Sequence, residues 1–455
     1  MAVTRKFLAL LAAYSFLLSF VLASSAWAYI HTAATCSYAN VSAAVATASS
    51  GDTVIVPSGN CTWSSALTIT KGIILQGAGV GSTVITANTG GTYLVTYEPS
   101  NPSLNETFRL TGFEFNLQSA TPGWHLRNST TYPLTKVRLD NNKWTNCSYS
   151  NPFQVEGAVW GVIDSNTFSG YPHIDNYGYE QSDGQFMWQN FTFSFGSINN
   201  MYYEGNTFNT ADTIFSGGAA GRYVFRYNTV NTTAGLWPML DAHGNMGSGD
   251  RYATMGVEVY GNLSSGGDSR VLDHRGGMAL AFYNYVTGGG MDLQVREEHC
   301  DSLNPPATAS DGEPQHVSSS YYWNNRDAAS GLVYFNLYEN LCGTYHIAPN
   351  VDYWDFKTSF NGTQGTGCGT LASRPATCTT GVGYWATTQS CSTVPSASIG
   401  VNPTTPLSGT LYKCTSTNTW TAYYTPYTYP HPLRQAGGDT YSPSAPKNLM
   451  IISAP

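Results

Sequence analysis

One short pattern recurs along this chain and limits its possible folds more than any other feature. Two or three alternating apolar or aromatic residues lead to an asparagine, which another hydrophobic residue often follows two positions later. Successive asparagines are 26, 24, 40, 22, 34, 22 and 41 residues apart. The short spacings suit one coil of stacked short strands, and the long ones suit a coil with an inserted loop. Repetition at this period predicts a solenoid. The recurring asparagines are Asn116, Asn142, Asn166, Asn206, Asn228, Asn262, Asn284 and Asn325.

Asparagine suits a structural role in such a solenoid. It tolerates a left-handed backbone at a sharp turn, and its amide can bond the amide stacked above it to form a ladder. We therefore expect these asparagines to be turn residues. The composition agrees, because only 11% of the residues are charged while 46 are glycine. Such a composition fits stacked strands with tight turns and argues against disorder.

The two ends of the chain differ from this repeat. A basic start at Arg5 and Lys6, an apolar stretch over 7–21 and the sequence Ala-Trp-Ala at 26–28 predict a cleavable signal peptide. No later stretch is long and apolar enough to span a bilayer. Apolar residues at helical spacing over 37–50 predict a short helix that covers the first coil. We expect a signal peptide over 1–28, coils over 29–350, a C-terminal capping region over 351–434 and a tail or linker over 435–455.

The nine cysteines indicate an oxidising compartment. Sequence proximity predicts that Cys36 pairs with Cys61 and that Cys300 pairs with Cys342. The odd count leaves Cys147 free, and we expect it to be buried. The pairing of the remaining four cysteines, which crowd the C-terminal quarter, stays open at this point.

Three segments of the sequence resemble a known superfamily. GDTVIVPSG at 51–59, TITKGIILQGAG at 68–79 and STVI at 82–85 resemble the N-terminal part of pectin-lyase-like proteins. The repeated asparagine turns resemble the repeats of the same superfamily, and YYTPYTYPHPLR at 423–434 is similar to the end of secreted bacterial β-helix proteins. The resemblance implies an all-β chain: a single-stranded right-handed parallel β-helix with a short N-terminal capping helix and an irregular, disulfide-rich C-terminal cap. The motifs of galacturonan hydrolases and the Arg-x-Pro-x-x-Arg segment of pectate lyases are missing, so the resemblance assigns no catalytic residue.

Charged residues gather in three consecutive coils. Outward side chains of successive coils stack in columns, with neighbours about 4.8 Å apart. When the coils are aligned on Asn228, Asn262 and Asn284, ionisable groups lie at about the same position of each coil. Among the 62 residues from 239 to 300, 12 are charged, which is well above the average for the chain. The catalytic candidates are Asp241, His243, Asp273, His274, Arg275 and Arg296. The candidates for substrate binding are Glu156, Trp237, Arg270 and Glu297. Because side chains alternate along a strand, Asp273 and Arg275 should point outward and His274 inward.

These residue types favour chemistry on an acidic polysaccharide. A β-elimination needs a base, for which His243 or His274 is suited, and a cation beside the substrate carboxylate, for which Arg275 or Arg296 is suited. Asp241 and Asp273 could hold Ca²⁺. We therefore expect a secreted polysaccharide lyase, and replacing Asp273 or Arg275 by Ala should change stability by no more than about 1 kcal/mol.

Two alternatives to a lyase stay open. The first is a non-catalytic extracellular surface, matrix or adhesin protein that binds a polysaccharide or cell-surface glycan. The second is a glycoside hydrolase in which Asp241 and Asp273 act as acid and base. The net charge of −8 argues against nucleic acid as a partner.

Overall fold

The computed structural model describes residues 28–178, 185–210, 213–232, 238–244, 252–266, 270–288, 292–296, 316–329, 331–337 and 347–435. Within them, the strands form three long sheets around one axis, because the chain passes from sheet A to sheet B to sheet C and returns to sheet A in the next coil. Crossovers between parallel strands of one sheet are right-handed. The molecule is therefore a right-handed parallel β-helix, as the sequence predicted.

The three sheets contain 12, 11 and 10 strands. The strands of sheet A are Ile30–Thr32, Thr53–Val56, Ile74–Gly77, Phe108–Thr111, Leu134–Asp140, Val159–Asp164, Met201–Glu204, Arg222–Arg226, Gly256–Tyr260, Met278–Phe282, Ser320–Trp323 and Tyr353–Trp354. Those of sheet B are Gly59–Trp63, Thr83–Ala87, Glu114–Asn116, Lys143–Cys147, Thr167–Gly170, Thr207–Thr210, Thr229–Thr232, Leu263–Ser265, Tyr285–Val286, Arg326–Asp327 and Gly331–Leu332. Those of sheet C are Leu67–Ile69, Val95–Tyr97, Trp124–Asn128, Phe153–Gly157, Ile174–Tyr177, Phe215–Gly218, Leu240–Ala242, Leu272–His274, Asp292–Val295 and Tyr334–Leu337.

Strand pairing is parallel through the centre of the molecule. All pairs that join the strands between residues 201 and 286 are parallel and in register. Among the described strands of the three long sheets, only the last pair of sheet B, Arg326–Asp327 with Gly331–Leu332, is antiparallel. This pairing excludes a sandwich or a propeller, in which antiparallel pairs would dominate.

Inward side chains of the three sheets fill the core. In sheet A, one inward column stacks an apolar or aromatic residue from each successive coil, and every member is buried. Burying one Val, Leu, Ile or Phe contributes about 1.5–3 kcal/mol, so the core is built coil by coil. The column contains Val54, Leu75, Leu110, Leu139, Ile163, Tyr203, Phe225, Val259, Ala281 and Tyr322.

The asparagine ladder lies at the turn between sheets A and B. Each member after the first accepts hydrogen bonds at Oδ1 from the backbone N–H and the side-chain amide of the preceding member, as Asn228 does from Asn206 at 2.9 and 3.1 Å. Seven residues form the ladder, namely Asn142, Asn166, Asn206, Asn228, Asn262, Asn284 and Asn325. Asn116 does not belong to it, because Phe113 occupies the equivalent position, where its backbone N–H bonds Asn142. The predicted alignment of that coil was therefore wrong by three residues.

The N-terminal end is closed as predicted. The helix Tyr38–Thr47 begins after Ser37, whose hydroxyl accepts a hydrogen bond from the backbone N–H of Asn40. Such a cap satisfies a backbone donor that has no partner within the helix. Val41 and Val45 of this helix are buried against the first coil. The expected Cys36–Cys61 disulfide is present, with its Cα atoms 5.8 Å apart.

The C-terminal region forms a small sheet of its own. Its strands are Thr366–Gly369, Gly383–Ala386, Thr410–Ser416 and Thr419–Tyr424. Two disulfides, Cys368–Cys391 and Cys378–Cys414, cross-link this region. The remaining helices are Gln185–Asn190 and Pro432–Gln435, with 3₁₀ turns at Pro102–Leu104, Leu371–Ser373 and Ser396–Ser398. No helix of the described chain has both the length and the apolar character needed to cross a membrane.

Residues 425–435, here called the C-terminal strap, reach further than a cap over the last coil. The strap lies along the outward face of sheet A, where its backbone carbonyls accept hydrogen bonds from Arg226 and Arg138. Glu204 accepts hydrogen bonds from the backbone N–H of His431 at 2.9 Å and from Arg434 at 3.0 Å. The outward face of sheet A is therefore covered back to the coil that contains Arg138.

Cys147 is free and buried. The predicted Cys300–Cys342 pair, most of the predicted signal peptide and the predicted tail beyond Gln435 lie outside the described residues.

Candidate functional site

Sheet C presents its charged side chains in two outward columns. Its strands pair in register, so Asp241 lies beside Asp273, and Asp273 lies beside Gln294 in the next coil. The same column continues backward through Ser216, Asp175, Gln154 and His125. The second column lies two residues further along each strand and contains His243, Arg275 and Arg296.

Asp241, His243 and Arg275 form one cluster. The guanidinium of Arg275 binds Asp241 through two nitrogens, with Nε 2.7 Å from Oδ1 and Nη2 in contact with Oδ2. Nη2 also lies 2.6 Å from Nδ1 of His243. The imidazole in turn approaches Asp241, with Nε2 3.3 Å from Oδ2. A bidentate guanidinium–carboxylate pair fixes the geometry of both groups, so this cluster presents its imidazole in a defined orientation.

Asp273 lies beside Asp241 in the next coil and is only 2% exposed. Arg296 donates to its Oδ2 at 2.8 Å, and Arg270 approaches the same oxygen at 3.6 Å. Burial raises the pKa of Asp273, and the nearby charge of Asp241 raises it further, while the two arginines 296 and 275 act in the opposite direction. Asp273 is therefore a buried anchor for guanidinium groups and does not face solvent, which differs from the expectation of an exposed patch.

Arg270 and Arg296 complete the charged face. Arg270 pairs with Asp292 through Nε at 2.7 Å. The side chain of Arg296 is 28% exposed, compared with 9% for that of Arg275. Arg296 is therefore the most exposed of the three guanidinium groups around Asp273, since the side chain of Arg270 is 12% exposed.

His274 points to the opposite side of its strand. It is fully buried, its Nδ1 lies 2.7 Å from the hydroxyl of Tyr322, and its Nε2 lies 3.0 Å from the carbonyl oxygen of Gly276. Burial lowers the pKa of His274 to about 4, which the backbone hydrogen bonds only partly oppose. His274 is thus a neutral interior residue, and its place among the catalytic candidates is corrected.

Two further candidates occupy positions that the sequence alignment did not give. Arg296 does not pair with Asp273, because Gln294 lies beside Asp273 and Arg296 follows two residues later. Glu156 lies on the same outward face, three strands before Asp241 in sheet C. Trp237 and Glu297 lie outside the described residues.

Glu156 belongs to a second cluster, which the sequence reasoning did not find. His125 Nε2 lies 2.9 Å from one of its oxygens, and Arg127 Nε lies 3.2 Å from the other. Burial would raise the pKa of Glu156, but the hydrogen bond and charge of His125, together with Arg127, hold it below its usual value. If this coil is aligned on Phe113 instead of Asn116, His125 and Arg127 lie at about the same position of their coil as the other charged residues of sheet C.

Calcium binding by Asp241 and Asp273 stays a prediction from the sequence. Calcium takes six to eight oxygen ligands, whereas the carboxylates of Asp241 and Asp273 are already paired with guanidinium groups. In the part of the chain that the structure describes, no group of three or more His, Cys, Asp and Glu side chains is placed to hold a metal ion. The chemistry proposed below uses the arginines that bind these two carboxylates.

Comparison with known proteins gives only distant structural likenesses. No protein-family model matches the chain, and no curated protein matches it. The A-module of the mannuronan C-5 epimerase AlgE4 from Azotobacter vinelandii is 12% identical, with a TM-score of 0.35, and the match covers 70% of this chain and 89% of that one. A family 28 exopolygalacturonase from Yersinia enterocolitica is 10% identical, with a TM-score of 0.34, and the match covers 76% and 73%. These likenesses do not identify the site.

Proposed function

We propose that this protein binds an acidic polysaccharide on the outward face of sheet C and cleaves it by β-elimination. The observation that carries the proposal is the cluster of Asp241, His243 and Arg275 beside the more exposed Arg296. It puts an oriented imidazole and a reachable cation on one face. A uronate polymer supplies the two groups that such a pair recognises, a carboxylate and an acidic proton on the adjacent carbon.

In this mechanism His243 removes the proton α to the substrate carboxyl group. The electron pair of the broken C–H bond forms a carbon–carbon double bond, the glycosidic C–O bond at the β position breaks, and the leaving oxygen takes a proton from solvent. Negative charge accumulates on the substrate carboxylate, where Arg296 stabilises it. Asp241 and Arg275 orient the imidazole, so we assign them as positioning residues.

A second candidate function is glycan binding without turnover. It is favoured by the bidentate pairing of Arg275 with Asp241, which leaves this guanidinium already engaged. A hydrolase is less well supported, because Asp273 is too buried to hold a water molecule against a sugar. The three disulfides of the described chain are compatible with an extracellular protein, and we propose that the signal peptide exports it.

The test is the ultraviolet absorbance of the unsaturated uronate product during incubation with a panel of polyuronates. We expect product with the wild-type protein, and little or none with His243→Ala or Arg296→Ala. Thr96→Ala is the matched control, since Thr96 occupies the first outward column of sheet C far from the cluster. Retention of a polyuronate without product would favour the binding function. If no polyuronate were bound or cleaved, both functions would be wrong.

A further inference from the structure

Sheet B carries a different outward row from the charged face of sheet C. Ser169, Asn209, Asn231 and Ser265, here called the amide row, lie in register in four consecutive coils. Asn231 donates from Nδ2 to Asn209 at 2.9 Å, Asn209 donates to Ser169 at 3.3 Å, and Ser265 donates to Asn231 at 3.0 Å. Both asparagines are exposed, yet these bonds fix the orientation of their amides.

The amide row borders a surface groove of about 490 Å³, a volume within the usual range of ligand sites. The phenol ring of Tyr171, which is 51% exposed, stands at its edge. Gly170 and Gly266 also line the groove, and none of the described residues around it is charged. The described lining therefore offers hydrogen-bonding groups and an aromatic surface, but no charge.

We propose that this groove binds an uncharged polysaccharide, independently of the charged face of sheet C. Amide and hydroxyl groups repeat about every 4.8 Å from coil to coil, which suits a polymer of repeating hydroxylated units. Each amide nitrogen carries two N–H donors, and the bonds within the amide row use one of them. Preorganised groups lose little conformational entropy when a ligand binds. Tyr171 supplies an apolar ring face beside a polar tip, as sugar rings require.

The lining also selects against an acidic chain. A carboxylate that enters a groove without a compensating cation loses hydration and gains no partner. This is the reverse of the sheet C face, where guanidinium groups are present. The two faces therefore recognise glycans of different charge, and the protein would hold a mixed matrix through sheet B while acting on acidic chains at sheet C.

The test is affinity electrophoresis of the full chain in gels that contain arabinan, galactan, mixed-linkage β-glucan or polygalacturonate. Asn231 begins an Asn-Thr-Thr sequence, so the protein is produced in a host that does not attach N-glycans. We expect at least one neutral polymer to retard the wild type. The Asn209→Ala/Asn231→Ala variant should bind that polymer at least about tenfold more weakly, as expected for losing two hydrogen bonds.

Two controls make the result specific. Asn146→Ala removes another exposed amide of sheet B, which bonds Asn116 in earlier coils outside the groove, and it should bind as the wild type does. Tyr171→Phe should retain binding, whereas Tyr171→Ala should lose it. Thermal unfolding of each variant checks that the fold is intact.

Three results would overturn the proposal. They are the absence of retardation by every neutral polymer, unchanged binding by the Asn209→Ala/Asn231→Ala variant, and retardation by polygalacturonate that depends on Asn209 and Asn231. Self-association lost in the same variant would also count against it, since the groove would then be an interface between two copies of the chain. A failure of the function proposed for sheet C can be distinguished from a failure at the groove, because Arg296→Ala should change only the binding and cleavage of acidic polymers.

Discussion

Glu258 is a buried carboxyl whose replacement tests the electrostatics of the covered face of sheet A. It lies in the strand Gly256–Tyr260 with no exposed surface. Its carboxylate accepts hydrogen bonds from the backbone N–H of Gly196 at 2.6 Å and from the hydroxyl of Tyr424 at 2.7 Å. Burial raises the pKa of Glu258 to about 7, because these donors and the more distant Arg226 offset only part of the lost hydration. We expect Glu258→Gln to keep the shape of the side chain and to remove the energetic cost of burying its negative charge.

The size of this stability difference follows from the pKa of Glu258 in the folded protein and its pKa in the unfolded chain. The folded-state pKa lies above the usual 4.5, so the stability contributed by Glu258 is complete below that pH and is lost as the pH rises through about 7. Each unit of pKa difference corresponds to about 1.4 kcal/mol, which gives a loss of about 3 kcal/mol across this window. Glu258→Gln should therefore exceed the wild type in unfolding free energy by about 3 kcal/mol at about pH 8, and by no more than about 1 kcal/mol at about pH 5.

Urea denaturation at the two pH values measures this difference. Glu156→Gln is the matched control, because the pKa of Glu156 is lowered and its ionised form stabilises the fold. That variant should lose stability at both pH values, the opposite sign to Glu258→Gln. If Glu258→Gln were less stable than the wild type at about pH 8, or if their difference did not change with pH, the account of Glu258 as a penalised buried charge would be refuted.

Three other predictions concern the charged residues on the two faces. Arg226→Met should destabilise the fold by about 3 kcal/mol and speed proteolysis of the C-terminal strap, because it removes one of the two guanidinium groups that bind the fully buried Glu204 and the hydrogen bonds to two strap carbonyls; an unchanged cleavage rate would contradict a strap held by Arg226. Asp273→Ala and Arg296→Ala should each lower stability by about 1–3 kcal/mol, because either change removes the charged hydrogen bond of 2.8 Å between Arg296 Nη2 and Asp273 Oδ2; an unchanged urea midpoint in both variants would show that this bond contributes nothing to the fold. Calcium binding at Asp241 and Asp273 stays a prediction from the sequence: it expects a calcium-dependent rise in melting temperature that Asp241→Asn abolishes, and equal melting temperatures in calcium and in chelator would contradict it.

The fold could be predicted because its period is a physical requirement visible in the sequence. A ladder needs one amide at the same turn of every coil, since each asparagine bonds the next through its own backbone and side chain. The run from Asn142 to Asn325 therefore appears in the sequence even where loops lengthen the coils. Asn116 shows where this reasoning fails. It follows the same local pattern but lies three positions beyond the turn, which Phe113 occupies.

The register of the candidate site could be predicted only in part. From the ladder asparagine to the paired position in sheet C there are 13 residues in the coil of Asp241, 11 in that of Asp273 and 10 in that of Gln294. The turn between sheets B and C thus differs in length from coil to coil, and no sequence signal records the difference. Alternation along one strand is safer, because it depends on no loop: it separates His274 from Asp273 and Arg275 correctly.

Charge density alone also could not separate a functional face from a structural one. The outward face of sheet A stacks Arg138, Asp164, Glu204 and Arg226 in neighbouring coils, much as sheet C stacks its arginines and aspartates. The difference is what lies over them. On sheet A the strap supplies backbone carbonyls that saturate the guanidinium groups, and a group so enclosed has no donor left for a ligand. On sheet C the described partners of Arg296 are the oxygens of Asp273, and more than a quarter of its side chain remains exposed. A polysaccharide carboxylate can therefore compete at Arg296, while nothing can compete at Arg226 unless the strap leaves first.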